Sequence, residues 1–452
     1  MKTGKGKTMK KIINCPLVKR ALAFGLMLYG LCAYGATYYV AANGNDATAD
    51  GTNPETPYAT LKAALGVAQK EDKIKIVGTI TLDKTPADLK LTAADLQLTV
   101  SGVELFGDGP DKSCLDFNKT AGGTAGFLKL TEGAFVHNLK LYKSRNTGGV
   151  IRIAAGESDV VVSNCWIDAC YYSTRGQPGG SFSDGLVTHT LFSGNYCNFG
   201  PVFSIGGNAK VRNCIFTKNY INSNRTDANP RYGIFYLSGS ALFENNTVYG
   251  NYANYNANYP TDVYSAGLYI DDGSPVIRNN IVSYNFIHGA IGSATAVESN
   301  YLCKNGATPV ATHNASSEGF GENAVTVPPT FANLDMSLAA EKRDFTLAEG
   351  SSCIDAGLFQ DWHLTATDFA LNNRFQGCSV DIGAYEVVAP LPNLVIVPNK
   401  ESYEGAQEVL LTAKSDNEVS FPNNTRFIWK INGEEVEGET SYMLPKFLKV
   451  GT

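Results

Sequence analysis

Charge is scarce in this 452-residue chain: Asp, Glu, Lys and Arg make up 18% of it, and there are only five histidines and three tryptophans. The ten cysteines show no Cys-x-x-Cys spacing and no histidine at zinc-ligand distance, which argues against a structural zinc. Beyond Ala33 no apolar run reaches the roughly 20 residues of a membrane-spanning helix. What is plentiful is Gly, Asn and Tyr, with 45 Gly and 23 Tyr. That balance suits a β-rich extracellular protein.

The N-terminus carries the address. Lys10, Lys11, Lys19 and Arg20 precede an apolar run from Ala21 to Ala33, followed by Ala33-Tyr34-Gly35. Residues 1–35 therefore read as a secretory signal with a small-x-small cleavage site, and Met9 is the better start. That segment holds seven of the 37 basic residues and none of the 43 acidic ones, leaving 30 against 43, a net of −13. Such a chain is a poor general binder of nucleic acid. An acidic polysaccharide would need a local basic patch or a bridging cation. In an oxidising compartment Cys353 and Cys378 are expected to pair. Cys165 and Cys214 fall at equivalent points two repeats apart, roughly 9–10 Å, which is beyond disulfide reach and suits buried filler.

Between Gly149 and Gly306 one short pattern recurs. Its first phrase is small-apolar-x-apolar, as in Gly149-Val150-Ile151-Arg152-Ile153, Pro201-Val202-Phe203-Ser204-Ile205, Gly233-Ile234-Phe235-Tyr236-Leu237 and Gly267-Leu268-Tyr269-Ile270. Its second is clearest in Val211 to Asn219, Phe243 to Asn251 and Ile277 to Asn285. A central Asn, once His189, falls at 164, 189, 213, 245, 279 and 300, in steps of 25, 24, 32, 34 and 21 residues. Alternating strands at such a period predict a β-solenoid whose coils bury their side chains only by stacking. The aligned Asn residues are expected to form a hydrogen-bonded ladder at a corner.

The segment Thr37 to Asp46, with Asp50-Gly51 and Pro57 to Leu65 after it, predicts a strand, a turn and an amphipathic helix with apolar Leu61, Ala64, Leu65 and Ala68. Ile74 to Ile80 and Val103 to Gly109 fit the first coils. These residues resemble the opening of secreted right-handed parallel β-helix proteins of the pectate-lyase-like superfamily, in which such a helix caps the open end. Asp46, Asp50 and Asp108 read as turn residues or as calcium ligands.

The gaps between repeats single out one region. Asn219 to Gly233 is fourteen residues and Asn251 to Gly267 sixteen, against four or five elsewhere. Two neighbouring coils thus extend long loops from one corner, where solenoids often place their working face. The loops carry Arg225, Arg231, Tyr232, Tyr252, Tyr255, Tyr259, Asp262 and Tyr264. Tyrosines with Asn, Asp and Arg supply the flat faces and paired donors and acceptors that sugars require. A lyase could use Arg231 or Tyr264 as base, with Asp262, Asp271 and Asp272 holding calcium. A hydrolase could draw a carboxylate pair from Asp271, Asp272, Asp262 or Asp227. Asp271-Asp272-Gly273 also reads as a plain turn.

Two further resemblances concern architecture. Phe192-Ser193-Gly194-Asn195, Phe216-Thr217-Lys218-Asn219 and Thr147 to Ile151 are similar to elements of polymorphic outer-membrane proteins, which implies a surface-displayed β-helical adhesin. Cys353 to Gly357, Asp368, Arg374 and Ser379 to Glu386 resemble the segment closing the β-helix in bacterial surface proteins of the choice-of-anchor Q type. That resemblance covers roughly residues 350–388 and implies an ion pair of Asp381 with Arg374, joined by Glu386. After Pro390-Leu391-Pro392, alternating strands around Trp429 look like an incomplete immunoglobulin-like module over 390–452.

The expected protein is all-β: a right-handed parallel β-helix over 36–389 with an N-terminal capping helix, then a truncated immunoglobulin-like β-sandwich. It is expected to be secreted, displayed at an outer-membrane or extracellular surface, and monomeric. Its expected partner is a polysaccharide or other surface glycan. The alternatives are a polysaccharide lyase or glycoside hydrolase in the same groove, and a non-catalytic adhesin or stalk. Calcium is the candidate cofactor.

Overall fold

The computed structural model describes residues 35–82, 97–117, 127–145, 148–222, 233–254, 265–288, 294–304, 306–377 and 379–387, with strands of the C-terminal region at 394–398, 406–415, 430–431, 434–435 and 443–449. The proposed signal segment up to residue 34 lies outside them. From Thr37 to Thr312 the described strands stack as a solenoid of parallel pairs, except that Val297–Glu298 pairs antiparallel with Phe286–Ile287. A mature coil has four strands, exemplified by Lys210–Arg212, Ile215–Thr217, Tyr220–Asn222 and Phe235–Leu237. Stacking extends these into a first sheet of ten strands, a second of eight, a third of six and a fourth of eight.

Alternation explains the core. Val211, Phe216, Ile221, Phe235 and Leu237 all point inward and are fully buried. Phe192 and Phe216 stack 4.5 Å apart in successive coils, and Phe203 and Phe235 stack at 5.0 Å. Like residues thus meet like residues at about one strand spacing.

The corners divide the work of the repeated asparagines. At the corner between the first and second sheets, Asn138, Asn164, His189, Asn213, Asn245, Asn279 and His313 adopt φ between 46° and 57°. Asn tolerates this left-handed conformation better than most residues, so this column turns the chain. Only two pairs in it bond directly, Asn164 to Asn138 and Asn279 to Asn245. The expected ladder instead lies one residue on, where Asn246 Nδ2 donates to Asn280 Oδ1 at 3.1 Å and Asn280 Nδ2 to Asn314 Oδ1 at 3.0 Å. A second ladder, Asn195–Asn219–Asn251–Asn285–Asn300, occupies the next corner, and Asn300 ends it rather than belonging to the turn column. Asn300 Nδ2 then donates to Glu298.

The predicted helix α1 (Leu61–Val67) is present, with Thr60 as N-cap and Leu61 and Ala64 buried. Asp46 accepts from Ala59 N, Thr60 N and Thr60 Oγ1, and Asp50 from Thr52 N. Asp108 pairs with Lys75 at 2.7 Å. All three therefore serve local structure.

The closing segment departs from expectation. It does not lie across the open end, which is covered by the stretch around Phe320, stacked 4.1 Å from Tyr301, and by the Ala315–Val325 bridge. Instead the chain from about 325 to 387 runs as a strap along the outside of the second sheet. His189 reaches Thr367 O, Asn213 Nδ2 donates to Thr367 O, Asn245 Nδ2 to Asp381 O, and Asn279 Nδ2 to Leu358 O. Turn residues of four successive coils thus hold the strap. Arg374 is fully buried within it: Nη2 donates to Asp381 O and Gly383 O, and Nε lies 3.6 Å from Glu386 Oε2. The expected ion pair is therefore with Glu386, while the Asp381 carboxylate accepts from Asp355 N and Val387 N. Burial raises the pKa of both acids and lowers that of Arg374. Cys353 is a free thiol packed with Ile281, Ala315, Leu347 and Ile382, pushed up to about 12 by burial. Cys378 lies outside the described residues. Cys165 and Cys214 are free and buried.

Beyond the strap, Leu394–Pro398, Ala406–Ser415 and Met443–Lys449 form a three-stranded antiparallel sheet. Trp429 lies outside the described residues.

Candidate functional site

The two long insertions leave the third sheet after Asn222 and Asn254 and return at the fourth sheet. Tyr220↔Tyr252 and Phe235↔Leu268 are register partners, so both insertions span the same corner in adjacent coils. Arg225, Arg231, Tyr232, Tyr255, Tyr259, Asp262 and Tyr264 themselves lie outside the described residues. The flanking sheets show what the corner is built on.

On the third sheet, Tyr171, Tyr196, Tyr220 and Tyr252 stack in one file, with ring centroids 4.3, 4.6 and 5.0 Å apart. Tyr252 was expected to offer a flat face, but one face is taken by Tyr220 at an interplanar angle of 3°. A stacked file presents ring edges and hydroxyls rather than faces. Burial raises the pKa of Tyr220 and Tyr252, so these phenols stay neutral donors and acceptors.

On the fourth sheet the outward position of each strand is the x of the small-apolar-x-apolar phrase. Register places Lys129, Arg152, Ser181, Ser204, Tyr236 and Tyr269 in one column. The two serines form a low floor between a cation and an aromatic side chain that stand three coils, roughly 14 Å, apart. The Arg152 guanidinium lies 3.6 Å over the Phe127 ring of the preceding coil, which leans it away from the serines. At the other end Tyr236 Oη donates to Asp271 Oδ2 at 2.6 Å, and Lys304 Nζ sits 2.9 Å from Asp271 Oδ1. Tyr236 is half-buried and stacks on Tyr269, which is only 3% exposed.

Asp271 and Asp272 do not act as a pair. Asp271 is committed to Tyr236 and Lys304, and Asp272 Oδ1 accepts from Gly239 N at 3.3 Å in the turn. Both follow the strand Leu268–Ile270, at its opposite end from the insertion that carries Asp262. Among the described residues no group of three His, Cys, Asp or Glu side chains could hold a metal ion. Ser181, Ser204, Tyr236 and Lys304 were not among the expected site residues.

With this geometry in hand, the family of the right handed beta helix region matches residues 127–318. The solenoid is a right-handed parallel β-helix. The chain is similar to the crystal structure of pectate lyase Pel9A, with 14% identity, 77% of this chain and 96% of that one covered, and a TM-score of 0.37. It is also similar to a rhamnogalacturonan lyase, with 13% identity, 62% and 68% covered, and a TM-score of 0.25. No curated protein matches the sequence. Among the described residues no helix is long and apolar enough to cross a membrane.

Proposed function

We propose that this is a secreted β-helix protein that binds a polysaccharide or surface glycan along the outer face of the fourth sheet. The observation that carries the reading is the hydroxyl floor of Ser181 and Ser204, with Arg152 at one end and the Tyr236–Asp271–Lys304 group at the other. Sugars are recognised by such alternations of hydroxyl, paired charge and aromatic surface. The chain returns to this sheet at Phe235 and Leu268 from the insertions that carry Arg225, Arg231, Tyr232, Tyr255, Tyr259, Asp262 and Tyr264, whose sugar-binding role is part of the proposal. The basic apolar N-terminus supports export.

The test is retention of the full chain on immobilised polygalacturonate, heparin and xylan, with product analysis in parallel. Tyr236→Ala and Lys304→Ala should each weaken retention about tenfold, the loss of one charge-assisted or well-placed hydrogen bond. Unchanged retention in both variants would remove the fourth-sheet face from consideration. New unsaturated or reducing ends would make the protein a lyase or hydrolase instead of a binder.

A further inference from the structure

Three successive coils repeat a Tyr-apolar-Asn phrase on the third sheet: Tyr196-Cys197-Asn198, Tyr220-Ile221-Asn222 and Tyr252-Ala253-Asn254. Cys197, Ile221 and Ala253 are fully buried, so strand alternation puts the tyrosines on the outer face. Register stacks Tyr196 on Tyr220 and Tyr220 on Tyr252, and sets Asn222 level with Asn254. Two files of positions therefore run along the solenoid axis, one of tyrosine and one of asparagine, repeating about every 4.8 Å. Tyr220 and Tyr252 are half-buried with their rings stacked, and no hydrogen bond to either hydroxyl is formed among the described residues. Stacking fixes the rings, so the hydroxyls are offered at a set spacing with little rotamer freedom left to lose.

Two other faces of the molecule narrow what this one fits. Where the strap covers the second sheet, the outward residues beneath it are the apolar Leu191, Ile215 and Ile281. The fourth-sheet face carries charge, in Arg152, Asp271 and Lys304. No residue of the three Tyr-apolar-Asn strands is charged. We propose that this face is a second binding surface, for an uncharged polyhydroxylated chain lying along the solenoid axis across the three coils. Phenol and carboxamide both donate and accept, as the hydroxyls of a neutral sugar do. An acidic glycan would give up hydration here without meeting a cation. The surface is distinct from the fourth-sheet face, and the charge of the ligand separates the two.

The full chain and the triple variant Tyr196→Phe, Tyr220→Phe, Tyr252→Phe are compared for retention on two uncharged polysaccharides, linear mannan and cellulose. The variant keeps the stacked rings, so its thermal unfolding should stay within about 3 °C of the wild type. Wild-type retention should hold between about 0.05 and 0.5 M salt, because no ion pair carries it. Tyr220→Phe alone should weaken retention about fivefold, and the triple variant at least about thirtyfold. Full retention by the triple variant overturns the proposal, as does retention that salt abolishes. A wild type that holds neither polymer also overturns it, while the fourth-sheet reading is decided separately by Tyr236→Ala and Lys304→Ala. Wild-type dimers that the triple variant loses would give the face to a second copy of the chain instead.

Discussion

The outer face of the second sheet is two surfaces on one scaffold. In the first four coils its leading column reads Thr79, Cys114, Lys140, Trp166; in the next four it reads Leu191, Ile215, Thr247, Ile281. The inward column hardly changes, running Leu115, Leu141, Ile167, Phe192, Phe216, Val248, Val282, all buried. The later half is buried on both sides because the strap lies on it: Leu191 and Ile215 pack with Phe345 and Ala384, and Ile281 packs with Leu347 and Ile382. In the earlier half polar groups satisfy one another instead. Lys140 Nζ lies 3.3 Å over Trp166 and 2.9 Å from Asp168, and Trp166 Nε1 donates to Ser193. A coil needs only its inward column to stack; the outward column records what, if anything, covers it.

The largest effect should come from the brace that shapes the covering strap. Arg374→Met leaves Glu386 buried beside carbonyl oxygens that have lost their donor, and should cost about 3 kcal/mol in chemical denaturation. The double variant Arg374→Met, Glu386→Leu should recover part of that loss, since it removes the stranded acid as well. Proteolysis within 325–387 should rise in the single variant while the solenoid stays resistant. If solenoid and strap were cleaved together, the two faces would not be separable units of stability.

Acid should loosen the same half by a smaller amount. His363 Nε2 lies 3.1 Å from Asn245 Oδ1 and its Nδ1 accepts from Gln360 N at 2.9 Å, so the neutral ring is fully used. Burial, then Arg374, Arg212 and Arg278, push its pKa down to about 3. The unfolded chain takes up that proton near pH 6.5, before the folded one does. Stability from this contact is therefore complete above about pH 6.5 and is lost as pH falls towards 3. His363→Gln should flatten the strap's acid sensitivity in that window, measured by hydrogen exchange of residues 355–385. An unchanged acid profile in that variant would assign the sensitivity to other groups.

How much of this was legible depends on whether the responsible residues are neighbours in sequence. The solenoid was readable because its period and alternation are local. The helix was readable because Thr60 and Leu61–Val67 carry cap and apolar face together. The ladder was predicted in the wrong column because Asn245-Asn246 and Asn279-Asn280 put a turn Asn and a ladder Asn side by side, and only stacking separates them. The strap was misplaced because its contacts join residues more than 70 positions apart, as in Asn279 with Leu358. Its footprint was nonetheless present in outward Leu191, Ile215 and Ile281, which no solvated sheet face requires. For the site, the insertions drew attention away from the plain x positions, Arg152, Ser204 and Tyr236, although these define an outward column once strands are aligned. The tyrosine file was signalled by Asn195-Tyr196, Asn219-Tyr220 and Asn251-Tyr252, each following a ladder asparagine.

The smallest expected effect belongs to the open half, and it sharpens the contrast most. Lys140 joins an ion pair with Asp168 and a cation–π contact with Trp166, but all three side chains keep some access to water. Partly exposed ion pairs are worth about 0–1 kcal/mol and exposed cation–π contacts about 0.5–1 kcal/mol. Lys140→Ala should therefore cost no more than about 1 kcal/mol in denaturation, and salt should shrink the loss. Protease resistance of the strap should not change, because Lys140 lies in an earlier coil than Leu191, Ile215 and Ile281, on which the strap packs. A cost near that of Arg374→Met would mean that the polar half bears on solenoid stability as heavily as the covered one, and the division of the face into a self-satisfied half and a partnered half would no longer hold.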